Sequence, residues 1–212
     1  MEQKTLKYLR VFIPGFVLLL GLYPMYNHYF SEIYDITSLH VMYISFISLL
    51  LGAVYYQLNI QRIITKPSHY FITKNILDKL ISAYDREIST EERKTLKYKD
   101  AYMTTFYKVI DNDESLKRKG ENVKFNGIFW TSTADISLIF IILFFIYKYF
   151  FVEIKNIELL TTFLLYTAII SFILHLISVK KHINLSNKQL NPIVNDKELS
   201  SIVKTKFDDI LK

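Results

Sequence analysis

Four long apolar runs, Val11–Phe30, Leu39–Leu58, Ile136–Val152 and Leu159–Val179, stand in two pairs around a polar middle that reaches from Asn59 to Thr131. The first run holds 20 residues without a charge. At 1.5 Å per helical residue it reaches about 30 Å, enough to cross the hydrocarbon core. It follows a basic start, Lys4, Lys7 and Arg10, as a cleaved leader would. The run is longer than a leader's apolar region, however, and no small-x-small site follows it, so a retained span is expected. Pro14 and Pro24 are expected to kink or unwind it locally, because each removes a backbone donor that lipid cannot replace. The connection Ser31–Thr37 carries Glu32 and Asp35 but no Lys or Arg, and reads as an outside loop. In the second run Ser45, Ser48 and Gly52 make one small face suited to close helix contact, with His40 at the outer end.

The middle changes to helical periodicity. Lys66-Pro67 predicts a break after the second span, since the residue before proline avoids the helical region. From Thr73 to Ile88, Ile76, Leu77, Leu80, Ile81, Tyr84 and Ile88 form one stripe. Ser89 with Glu92 three residues on has the capping-box form and predicts a second helix running to about Ile110, so the two make a hairpin. Asp111–Gly120 reads as an exposed turn whose charge changes sign, and Glu121–Trp130 as an aromatic interfacial segment. The tail repeats the pattern: an N-cap at Asn195-Asp196 precedes the stripe Leu199, Ile202, Val203, Phe207, Ile210 and Leu211. The resulting expectation is an all-α fold, a four-helix transmembrane protein with a cytosolic helical hairpin insert and a C-terminal amphipathic helix. Its parts are a first membrane hairpin (1–58), the insert (59–131), a second membrane hairpin (132–179) and the tail helix (180–212).

Charge gives this layout a direction. Of the 26 Lys and Arg residues, 14 lie in the middle, three before the first run and seven in the tail. Only Lys148 and Lys155 fall on the other side, where Lys148 can snorkel to the surface. By the positive-inside rule the middle and both termini are cytosolic. A mean hydropathy of +0.20 beside 22% charged residues fits a chain that is part membrane and part cytosol. The net charge of +6 is compatible with nucleic acid, but in a membrane protein basic loops that set topology and meet anionic lipid are the expected source.

Chemistry is scarce. With no cysteine in the chain, disulfides, zinc knuckles and thiol nucleophiles are excluded. No phosphate-binding loop, dinucleotide fingerprint or HExxH spacing occurs, and the five histidines are scattered. No catalytic residue, metal or cofactor is expected, and the chain does not read as an enzyme. Two candidate sets remain. Thr167, Ser171, His175 and Ser178 step by four, four and three along the fourth run, so they share a face turned either to a pore or to a partner helix. Lys117, Arg118, Lys119 and Lys124 form a basic set for a ligand or nucleic acid, or else a solvated charge cluster, since no glycine-rich loop presents backbone amides there.

Lys66-Pro67-Ser68-His69-Tyr70-Phe71 and Glu121-Asn122-Val123-Lys124-Phe125-Asn126, which bracket the insert, resemble the corresponding segments of small four-span membrane effectors of the Hailong anti-phage defence system. That family's Gly-Phe-Arg-Arg at the end of the insert is replaced here by Phe-Asn-Gly-Ile. The resemblance implies a homo-oligomer, a tetramer, forming an ion channel held shut by an oligonucleotide-like signal from a nucleotidyltransferase partner. The alternative is a non-conducting membrane anchor or scaffold that docks a cytosolic protein.

Overall fold

The computed structural model describes residues 3–30, 41–60 and 62–212, without the side chains of Gln3 and Lys99. The predicted outside loop Ser31–Thr37 and the position of His40 lie outside the described residues. The described residues form helices joined by short turns and loops, with no strand. The helices are α1 (Gln3–Phe30), α2 (Val41–Gln57), α3 (Arg62–Tyr84), α4 (Thr90–Lys97), α5 (Ala101–Asn112), α6 (Glu114–Phe150), α7 (Ile157–Asn195) and α8 (Lys197–Leu211). Among the described residues, α1, α6 and α7 are each long and apolar enough to cross a membrane. The 17-residue α2 counts as a fourth only when joined with α3 as one broken span. The chain therefore has the helices of a multi-pass membrane protein.

The residues divide into two compact units, one of 1–66 and 128–178, the other of 67–127 and 179–212. The first unit contains α1, α2 and the apolar lengths of α6 and α7. Its core is Tyr55, Ile139, Leu143, Tyr147, Ile154 and Leu164, with Val17, Leu18, Leu22 and Met25 of α1 packed against it. α1 and α2 meet through backbone: a Cβ added to Gly15 would overlap the Ser48 carbonyl, and one added to Gly52 would overlap the Val11 carbonyl. The small face expected of the second span is this contact, made by Ser48 and Gly52. Ser45 instead donates to the Val41 carbonyl of its own helix. α1 remains helical through both prolines.

The second unit is built from α3 beyond Pro67, α4, α5, α8, the start of α6 and the end of α7. Ile76, Leu77, Leu80, Tyr84, Leu96, Phe106, Val109, Leu190, Ile193, Val203 and Phe207 are buried there. The capping box forms as expected, with the Glu92 amide donating to Ser89 Oγ at 3.2 Å and the Ser89 amide to Glu92 Oε2 at 2.8 Å. The accepted bond from the Ser89 backbone, with Arg86 beside it, holds the Glu92 carboxyl below the usual range. α8 packs on α4 and α5, and Asp196 rather than Asn195 caps it, accepting from the Glu198 and Leu199 amides.

Three local expectations are corrected. Pro67 lies inside α3 and does not break it. The second hairpin helix is two helices, α4 and α5, separated by a 3-10 turn that ends at Asp100 with φ 55°. Aspartate is one of the few residues other than glycine that adopt this left-handed conformation readily. The exposed turn over 111–120 shrinks to Asp113, whose side chain accepts from the Leu116 amide as α6 begins. Gly120 is therefore a buried helical position, where a Cβ would come within 2.7 Å of Gln189 Nε2. That amide donates to the Leu116 carbonyl at 2.9 Å and ties α7 to α6.

Candidate functional site

The first unit contains polar side chains that a lipid-embedded bundle would be expected to avoid. In α6, Asp135 is 6% exposed, and in α2, Tyr55 is 5% exposed. The Tyr55 hydroxyl donates to Asp135 Oδ1 at 3.1 Å. It is the side-chain hydrogen bond that Asp135 accepts among the described residues. Carboxyl groups within spanning helices are costly to keep and face the interior of the bundle when they occur, which makes them candidates for function rather than packing.

A second polar contact lies five residues back along α6. His175 of α7, 2% exposed, holds Nδ1 3.0 Å from the Trp130 carbonyl oxygen. A carbonyl only accepts, so this contact places a hydrogen on Nδ1. The imidazole also stacks at 6.4 Å on the Trp130 indole and at 6.3 Å on Phe172. Trp130 is 7% exposed, so the only tryptophan is a core residue and not an interfacial anchor.

These contacts locate the stripe expected on the fourth run. Ser171, His175 and Ser178 are all buried within the chain, and Thr167 is half-buried. With Leu164 and Ala168 they mark the face that α7 turns inward. The opposite face, including Phe163, Tyr166, Ile170 and Ile173, is exposed and apolar. Ser178 returns its hydroxyl to the Leu174 carbonyl of its own helix.

A third polar contact closes the far end of the core. Tyr147, 1% exposed, donates to the Gly21 carbonyl at 2.7 Å and accepts from the Met25 amide at 3.3 Å.

Of the basic set, Lys117, Arg118 and Lys124 are exposed along α6 and Lys119 is half-buried. All four lie on regular helix and are not gathered into a cradle. A groove of about 470 Å³ elsewhere in the second unit is lined by Ser82, Asp85, Lys197, Ser200, Ser201 and Lys204. Lys204 there is 3.5 Å from Asp85. Among the described residues, no three His, Asp or Glu side chains gather to hold a metal ion.

The Tyr55–Asp135 pair was missed in the sequence, although a signal exists. Tyr55 lies close to the inner end of the second run and Asp135 at the inner start of the third, so the predicted topology puts them at one depth. The same matching of depth applies to His175 and Trp130. No family model, curated protein or solved structure matches the chain.

Proposed function

We propose that the chain is a subunit of a homo-oligomeric ion channel in the bacterial inner membrane, with four spans and cytosolic termini, gated through its cytosolic helices. The observation that carries this reading is Asp135, an ionisable group kept in the interior of the spanning unit with a tyrosine hydroxyl as its partner. Such groups mark ion paths, because lipid-facing bundles otherwise discard them. The same burial gives the α7 stripe its place in the proposal. Ser171, His175 and Ser178 can line a path only when the seam between α6 and α7 parts, so they belong to the gate.

Gating through the other unit is supported by α6 and α7, each of which carries an unbroken helical backbone from one unit into the other. A ligand on Lys117, Arg118, Lys119 or Lys124 would act on α6 itself. A nucleotidyltransferase partner, its oligonucleotide signal, a tetrameric assembly and a role in anti-phage defence are the parts of this proposal that rest on the resemblance alone. Planar-bilayer recording from the purified oligomer tests the channel, which should pass current in at least one ligand condition.

A second reading has its own support. In the second unit α8 packs on α4 and α5, and Leu190, Ile193, Val203 and Phe207 are buried, as a docking module on a membrane anchor would have. Co-purification of a stoichiometric partner, with no current from well-folded protein, would favour that reading.

A further inference from the structure

We propose that the face of the second unit carrying Tyr70, Phe71, Lys74 and Lys97 is a membrane-surface site that receives the headgroups of anionic phospholipids. Tyr70 and Phe71 are 53% and 59% exposed, although most large apolar side chains of this unit are buried. Their rings meet edge to face at 5.9 Å, forming one aromatic projection. Exposed aromatic pairs of this kind suit the headgroup layer, where ring bodies meet acyl chains and a tyrosine hydroxyl stays wet.

Beside the projection is a groove of about 160 Å³ that collects Tyr70, Lys74 and Leu77 of α3, Lys97 of α4, and Tyr102 of α5. Leu77 is fully buried and forms an apolar floor, and Lys74 and Lys97 bring two cations from different helices. Neither lysine is in an ion pair among the described residues. Asp100, the acidic residue lining the groove, is exposed. Burial pushes the Tyr102 phenol above its ordinary value, so this ring stays neutral beside an incoming phosphate.

The position in the sequence favours a lipid surface over a soluble anion. The second apolar run ends at Leu58, and Tyr70 follows it by 12 residues of chain. An aromatic and basic patch so soon after a spanning segment meets phosphate and acyl chain together, and juxtamembrane lysines are drawn to acidic leaflets.

The cysteine-free chain makes the test clean. Spin labels on Phe71→Cys and, as a control, on the exposed position Tyr107→Cys are read in full-length protein in nanodiscs of phosphatidylcholine with or without phosphatidylserine. Adding phosphatidylserine should cut the access of a water-soluble relaxant to position 71 several-fold and leave position 107 unchanged. The change should vanish in Lys74→Glu/Lys97→Glu. Tyr70→Cys replaces Phe71→Cys if the latter does not insert. Equal access at 71 and 107 in both bilayers would overturn the site, and so would protection of 71 by a soluble oligonucleotide without anionic lipid. Conduction plays no part in this readout, so its outcome is separate from the channel reading.

Discussion

The Tyr147 hydroxyl bridges α1 at Gly21: it donates to the Gly21 carbonyl and accepts from the Met25 amide, two groups that pair directly in an uninterrupted helix. Pro24 lies within the same turn and supplies no donor of its own. A neighbouring hydroxyl that re-satisfies backbone beside a proline is how membrane helices tolerate such residues. α6 thereby fastens α1 in the turn that contains Pro24.

Tyr147→Phe removes both hydrogen bonds and leaves the ring in place. A loss of about 1–2 kcal/mol is expected, at the upper end of what interhelical bonds contribute in membranes. Denaturation in mild detergent measures it. An unchanged midpoint would mean that the backbone groups re-pair without the hydroxyl.

Gly15 and Gly52 allow α1 and α2 to touch through backbone. Gly15→Ala and Gly52→Ala each force the helices apart, because the obstructing atoms are carbonyl oxygens and not flexible side chains. Each is expected to cost about 1–3 kcal/mol, as overpacking does. Gly120→Ala is expected to cost less, since the amide of Gln189 can move. Thermal unfolding of the three variants checks this order.

The α4 cap gives a pH dependence of known sign. The folded-state pKa of Glu92 is depressed by the Ser89 amide and Arg86. The stability it contributes is present above the ordinary glutamate value near 4.5 and is lost as pH falls through the lower folded value. Helicity of α4, followed by hydrogen exchange, should decline in that acid window in the native chain and respond less in Glu92→Gln. Ser89→Ala should cost about 1 kcal/mol at neutral pH.

Long-range contact was harder to read from the chain than local pattern. The apolar runs, the capping box at Ser89 and the stripe of α8 rest on spacing within one segment, and the structure contains all three. Pro67 was misread because a proline near the start of a helix interrupts only one early bond, and the rest of α3 is held by its buried stripe. The turn over 111–120 was misread because its run of charges signals exposure and not a break in the backbone: Lys117 and Arg118 are exposed on regular helix, while Leu116 and Gly120 are buried. Asp100 breaks a periodic stretch through its backbone conformation, which periodicity does not register. The site was legible as a polar face on α7, but whether that face is open or buried depends on α6, a separate segment. Tyr55 and Asp135 are 80 residues apart, and only the predicted topology links them.

The most direct test of an ion path at the Tyr55–Asp135 pair is the single-channel conductance of the purified protein in planar bilayers, native chain against Asp135→Asn. Asparagine keeps the size and an acceptor for the Tyr55 hydroxyl and removes the ionisable group. Matched melting curves would show that both proteins are folded. The expected result is current from the native chain and a several-fold lower or differently selective current from the variant. Identical conductance in the two, or no current from either in any ligand condition, would contradict a path governed by Asp135.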